Sequence, residues 1–270
     1  MIIHPGDRHP ISTNSFTGKG IVIEIHGVQS AEQPGLLVTY DIDGYGTANE
    51  FFIAAEGMNK YRIEERKCRS GMPFEYLDRT AKSFDWSLYG EDVRMQKKIA
   101  NAFVSQFESF RREGRGLYIQ SKTKGSGKTL LACCITNEIL KHFDIFVKFI
   151  SVTDYIELVK DKTEEGKERR DALLNADLLV LDDIGAQVEN KEWITNSLFH
   201  LVNHRYTRRL VTIYTSNIPF DSMQTDDRIS SRIYEKSTPL VMPEVSIRKI
   251  KADLKTKEFM SEIMSKEDEE

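Results

Sequence analysis

The stretch Lys124-Gly125-Ser126-Gly127-Lys128-Thr129 constrains this chain more than any other. It follows Gly116-Leu117-Tyr118-Ile119-Gln120, an apolar run suited to a strand, and it opens a helical pattern over 129–143. A glycine-rich turn between a strand and a helix is the setting of a P-loop. Glycines let backbone N–H groups turn inward and approach phosphate oxygens closely. The new helix points its positive N-terminal end at the same anion. Lys124, Gly125, Ser126 and Gly127 would then form the cradle for ATP. Lys128 would reach the β- and γ-phosphates, and the Thr129 hydroxyl would ligate Mg2+. The full pattern asks for glycine at 122, where this chain has Lys122. The spacing therefore implies a different path through Ser121-Lys122-Thr123.

A second motif lies downstream. Leu178-Leu179-Val180-Leu181-Asp182-Asp183 is an apolar strand ending in two acids. In open α/β folds that puts carboxylates at the C-terminal edge of the sheet, where ligands bind. Asp182 is the candidate metal ligand, through water. Asp183 is the candidate to orient or deprotonate an attacking water. Taken alone, the pair would serve as well for a helix cap or a solvated strand end. Downstream of a P-loop it points to the metal site. Thr215-Ser216-Asn217 ends the next strand, and Asn217 could bond the attacking water or the γ-phosphate. Its other reading is a turn residue before Pro219. Arg228 and Arg232 stand one helical turn apart in Arg228-Ile229-Ser230-Ser231-Arg232. They suit a neighbour's γ-phosphate or a surface ion pair equally, and Arg248 carries the same two readings.

The surrounding pattern alternates strands and helices. Strands are expected at 116–120, 145–150, 178–181, 210–214 and 239–242. Helices are expected at 129–143, 152–160 and 193–208. The strands show almost no polar alternation, which indicates a parallel sheet covered on both faces and an α/β fold. Before the core, Met95, Ile99, Phe103, Phe107 and Phe110 fall at helical spacing, ended by Gly114 and Gly116. This aromatic stripe reads as core packing rather than a ligand box.

Residues 1–70 read as a small β-rich module. Strands are suggested at 21–25, 36–40 and 51–53, punctuated by Gly18, Gly20, Gly27, Pro34-Gly35, Gly44 and Gly46. Residues 71–90 read as a connector whose Phe74, Tyr76, Phe84, Trp86 and Tyr89 dock on the domain at 91–250. Residues 251–270 read as a charged helical tail with an acidic end.

Composition narrows the function. A net charge of −4 argues against coating nucleic acid by bulk charge, while leaving room for a local basic patch. No apolar run is long enough to span a bilayer, and the N-terminal residues lack the pattern of a secretory signal. Cys133 and Cys134 are adjacent and Cys68 stands apart, with no CxxC pair. A cytoplasmic setting is expected, without a membrane.

From residues 72 to 248 the order of motifs resembles AAA+ ATPases, more narrowly the bacterial and phage helicase loaders of the DnaC/DnaI type. The resemblance rests on GLYIQ and KGSGKTLLACCITNEIL, on LLVLDDIG, on Trp193 leading into NHRYTRRLVTIYTSN, and on RISSR and SIR. The segment MPFEYLDRTAKSFD resembles what precedes the core in that family. The resemblance implies a P-loop core with a five-stranded parallel sheet in the order 5-1-4-3-2. It implies Asn217 as sensor 1, Arg232 as arginine finger and Arg248 as sensor 2. It implies a homo-oligomer with ATP at subunit interfaces. Its partners would be single-stranded DNA and a hexameric replicative helicase, the latter gripped by residues 1–70. Residues 152–170, with Lys160, Lys162, Lys167, Arg169 and Arg170, would be the place to look for DNA contacts; a solvated charged helix is the other reading. Asp183 stands where most AAA+ proteins have glutamate, and its shorter reach implies slow hydrolysis. An IstB-type transposition helper shares the same core motifs, and an adaptor that binds ATP with little or no hydrolysis is a further alternative.

Overall fold

The computed structural model describes residues 6–12, 17–28, 35–43, 46–53, 56–185, 192–222 and 226–267. The expected punctuation at Pro34 and Gly44, and the acidic end at 268–270, lie outside the described residues. The chain divides into two compact units, Met1–Arg69 and Ser70–Glu270.

The first unit is an antiparallel meander. Strands β1 (Arg8–Ser12), β2 (Thr17–Val28), β3 (Gly35–Ile42) and β4 (Gly46–Ile53) pair in sequence order, and helix α1 (Glu56–Arg69) follows. Ile11, Val22, Val38, Tyr40 and Ile42 form its buried core. Alternate residues of a strand share a face, so Val38, Tyr40 and Ile42 point inward together. The sequence pattern located three of these strands and missed β1 and α1. β1 is the short run RHPIS, interrupted by Pro10, and α1 is a charge-rich segment, EGMNKYRIEERKCR.

The second unit is built on a parallel sheet. Its strands are β5 (Gly116–Gln120), β6 (Val147–Ser151), β7 (Leu178–Asp182), β8 (Val211–Ser216) and β9 (Ser237–Val241). They lie in the order β6-β7-β8-β5-β9, all parallel, which is the expected 5-1-4-3-2 order read from the other edge. Both faces are covered. Leu117, Ile119, Leu178 and Val180 face one apolar cluster, together with helices α2 (Arg94–Ser105), α3 (Phe107–Glu113) and α4 (Lys128–His142). Tyr118, Leu179 and Leu181 face the other, with α5 (Val152–Lys160), α6 (Glu164–Asn175), α7 (Glu192–Thr207) and α8 (Asp227–Lys236). Helix α9 (Ile247–Glu267) follows β9.

Several expectations change in detail. The aromatic helix before the core breaks at Gln106 into α2 and α3, and Met95 lies outside the packed face at 64% exposure. Phe103 remains central, with ring centroids 5.8 Å from Phe107 and 4.8 Å from Phe110. Gly114 does end α3, in a left-handed cap, whereas Gly116 is the first residue of β5. The connector forms short 3-10 turns. It buries Phe84 and Tyr89, partly buries Tyr76 and Trp86, and leaves Phe74 at 63% exposure.

One buried cation holds the far side of the sheet together. Arg205, on α7, is 1% exposed. Its guanidinium donates to the carbonyls of Leu173 at 2.9 Å and Ala176 at 2.8 Å, capping the end of α6. It also donates to Val211 O at 2.6 Å and Thr212 Oγ1 at 2.9 Å, fixing the start of β8. Burial pushes its pKa down to about 10, so it stays charged at neutral pH.

Candidate functional site

The strand ends of this sheet place the candidate residues. β5 runs into the loop 121–127, and α4 begins at Lys128. Gly125 and Gly127 have φ of 78° and 90°, left-handed values that explain glycine at both positions. Lys122 needs no such freedom, because Asp183 and Arg209 are the only described non-glycine residues with positive φ. The altered path at Ser121-Lys122-Thr123 is held instead by Glu244, whose carboxylate accepts the N–H of Lys122 at 2.9 Å and of Thr123 at 2.7 Å.

Lys128 is buried, and its ammonium donates to Ser121 O, Thr123 O and Ser126 Oγ at 3.1 to 3.2 Å. Burial lowers its pKa, opposed by the charges of Asp183, Glu244 and Asp182. The Thr129 hydroxyl donates to Asp182 Oδ1 at 2.9 Å, joining the start of α4 to the end of β7. Thr215, at the end of β8, donates to the same oxygen at 2.6 Å and accepts the N–H of Asp183 at 2.8 Å. Asn217 Nδ2 donates to Asp183 Oδ1 at 2.7 Å. The loop, the two acids and Asn217 are thus one connected network. Asp182 has a raised pKa. Burial is the main cause and the neighbouring Asp183 adds to it, against the hydrogen bonds from Thr215 and Thr129.

This network forms the floor of a cleft of about 780 Å³. Arg248 lines the cleft, and its N–H donates to Gly125 O at 3.1 Å. The walls add Arg79 from the connector and Lys251 and Lys255 from α9. With Lys124 and Lys128, these cations outnumber the lining acids Asp182, Asp183 and Glu75. Such a cleft favours a polyanion carrying its own cation. The Thr129 hydroxyl and the Asp182 carboxylate are hard oxygen donors side by side, a pair suited to Mg2+. Among the described residues no cluster of three or more His, Cys, Asp or Glu could hold a metal alone. Magnesium commonly takes one or two protein oxygens and fills its shell with phosphate and water, so the residues present fit it.

Arg232 is placed elsewhere. It does not line the cleft. Its guanidinium lies over Phe199 at 5.0 Å and Tyr206 at 5.4 Å, both on α7. Its Nε donates to Asn203 Oδ1 at 2.9 Å and its Nη1 to Arg228 O at 2.8 Å. Arg228, in contrast, is paired with Asp226 at 2.6 Å. The basic stretch at 152–170 splits into α5 and α6 and engages itself: Lys160 pairs with Glu157 at 2.6 Å and Lys167 with Glu164 at 3.0 Å. Lys162 donates to Val159 O at 2.9 Å, and Arg170 donates to the carbonyls of Leu158 and Asp161.

Sequence reasoning gave no role to Thr215 or Glu244, and gave Tyr89 only a docking role. Thr215 was visible within Thr215-Ser216-Asn217, but its bond to Asp182 depends on β7 and β8 being neighbours. The Tyr89 hydroxyl donates to Ser126 O at 2.6 Å, a contact across 37 residues of sequence.

Comparison with known families matches residues 60–236 to the IstB-like ATP binding proteins. That span exceeds half of the 270 residues, and the chain belongs to this family. The replicative helicase loader DnaI of Bacillus subtilis (strain 168) is 29% identical over 124 residues, 44% of this chain and 39% of that protein. The replicative helicase loader DnaC of Escherichia coli (strain K12) is 38% identical over 96 residues, 34% of this chain and 37% of that protein. The chain therefore spans well under two thirds of the length of these relatives. Among solved structures, a crystal structure of DnaI matches with a TM-score of 0.54 and 26% identity, covering 63% of this chain and 94% of that one. The core has the AAA+ fold. No helix among the described residues is long and apolar enough to cross a membrane.

Proposed function

We propose that this chain is a cytoplasmic ATPase that loads a replicative helicase onto single-stranded DNA, working as an oligomer with ATP at its subunit interfaces. The observation that carries the reading is the division of the site. The cleft holds a phosphate loop, metal-binding oxygens and a paired Asp183–Asn217 on one chain, while Arg232 is held outside it by Asn203 and the rings of Phe199 and Tyr206. A positioned arginine away from its own cleft suits the γ-phosphate of a neighbour.

In this mechanism Lys128 leaves the loop carbonyls for the β- and γ-phosphates. Thr129 and Asp182 would hold Mg2+, which would supply charge neutralisation at the phosphate oxygens. Asp183, aligned by Asn217, orients the attacking water. Arg248 approaches the phosphates from α9, and Arg232 of the next subunit stabilises charge in the transition state. Asp183 is shorter than glutamate, which accords with slow turnover and a switching role. The names of DnaI and DnaC support the helicase partner, and the first unit is the proposed grip.

Native mass spectrometry with the replicative helicase of its source, with and without ATP, tests the reading. A discrete complex lost on removal of residues 1–70 supports the loader and assigns the grip. No complex in any nucleotide state sinks it. The second reading, a transposition helper, is favoured by the family match itself. It would take first place in that event. A phosphate-release assay separates both from an adaptor that binds ATP without turnover.

A further inference from the structure

The phosphate loop lacks glycine at its first position, and a distant carboxylate takes hold of it there. Glu244 lies just beyond β9. Its Oε1 accepts the Lys122 N–H at 2.9 Å, and its Oε2 accepts the Thr123 N–H at 2.7 Å and the Ser121 hydroxyl at 3.0 Å. The chain then continues along the opposite limb of the loop. Ser246 Oγ and Arg248 Cβ would stand 2.8 and 2.9 Å from any side chain at Gly125, and the Arg248 N–H donates to Gly125 O at 3.1 Å. Residues 244–248 thus grip both limbs at once and run directly into α9.

The chemistry favours a positioning role over simple loop packing. The donors at 122 and 123 are taken by Glu244, and neither residue lines the cleft, so they are not the phosphate-binding groups themselves. What they fix is the path that brings residues 124–128 to the phosphates. Preorganised donors act on charge without first being ordered, and that raises both affinity and rate. Partial desolvation of this exposed side chain would raise the Glu244 pKa, yet the hydrogen bonds from Lys122, Thr123 and Ser121 hold it below the ordinary carboxylate value. The carboxylate is therefore ionised at neutral pH, and its bonds are of the strong, charge-assisted kind.

We infer that Glu244 is a positioning residue for the phosphate-binding loop, standing in for the missing glycine and tying the loop to the helix that carries Arg248. The inference rests on the ATP reading above. It makes the loop and α9 a single mechanical piece, so the nucleotide at one is felt at the other.

Glu244→Ala and Glu244→Gln test it, with Lys128→Ala beside them. The readouts are affinity for a fluorescent ATP analogue, thermal midpoint, and amide hydrogen exchange at 122 and 123 without nucleotide. Glu244→Ala is expected to weaken binding roughly tenfold or more, the worth of one charge-assisted hydrogen bond. Exchange at 122 and 123 should accelerate while the core stays protected. Glu244→Gln should fall between, because its amide keeps one acceptor oxygen. Wild-type affinity and slow exchange in both variants would overturn the inference, as would a lowered midpoint with unchanged affinity. Should the wild-type protein bind no ATP, the site reading fails separately, and exchange at 122 and 123 still decides the role of Glu244.

Discussion

The two units bury apolar surface in different ways. The first has a core on one face of a meander, from Ile11, Val22, Val38, Tyr40 and Ile42, and leaves Ile23 and Phe51 exposed at 44% and 43%. The second covers both faces of a parallel sheet, with Leu178, Leu179, Val180 and Leu181 all fully buried. Strands in the second unit share one direction, so their C-terminal ends gather at one edge. That edge fixes Asp182, Thr215 and the phosphate loop relative to each other. A meander alternates its strand directions and gathers no such edge. The difference teaches where chemistry can be held rigidly and where a surface stays open to change.

Substitutions can break or sharpen this contrast. Lys128→Ala should abolish nucleotide binding or turnover, measured by phosphate release; normal hydrolysis in that variant would remove the site. Arg232→Ala should keep ATP affinity and lower assembly-dependent turnover by about 10³-fold, the lower range for an arginine finger. Unchanged turnover in the assembled state would deny it that role. Arg205→Met should cost about 3–5 kcal/mol in a denaturant titration, since several buried carbonyls lose their donor at once. A loss under about 1 kcal/mol would mean that water replaces the guanidinium.

Asp182→Asn should separate stability from function. The folded pKa of Asp182 is raised by burial, so the folded state binds the proton more tightly than the unfolded one. Nucleotide-free stability therefore falls as pH rises through that pKa. The neutral amide should stabilise the free protein, on the order of 1 kcal/mol, while removing magnesium-dependent turnover. A less stable variant would contradict the burial account. The smallest effect is expected from Phe51→Ser on the exposed face of the meander, within about 0.5 kcal/mol and without change in ATP affinity.

The legible part of the site was local in sequence. Lys124 to Thr129 and Asp182-Asp183 are contiguous motifs whose strand and helix context is visible beside them. Asn217 and Arg248 drew their proposed roles from motif order, and the structure places both against the same cleft. Glu244, Thr215 and Arg205 were silent because each acts across a fold-dependent contact; Glu244 meets Thr123 across 121 residues. The five-stranded order followed from family resemblance, since strand composition alone does not rank neighbours. The break at Gln106 was hidden by an aromatic spacing that continues through it, Phe103 and Phe107 both being fully buried. The missed α1 shows the converse: a helix without a long apolar stripe leaves little periodicity to read.

A mixing experiment tests the shared site most directly. Lys128→Ala and Arg232→Ala are each assayed alone for ATP turnover under assembling conditions, then combined. The Arg232→Ala subunit keeps an intact cleft, and the Lys128→Ala subunit keeps an intact Arg232. If the site is completed between subunits, two inactive proteins regain measurable turnover when mixed. If the mixture stays as inactive as its parts while both proteins still assemble, Arg232 does not act on a neighbour's ATP and the account fails at its centre.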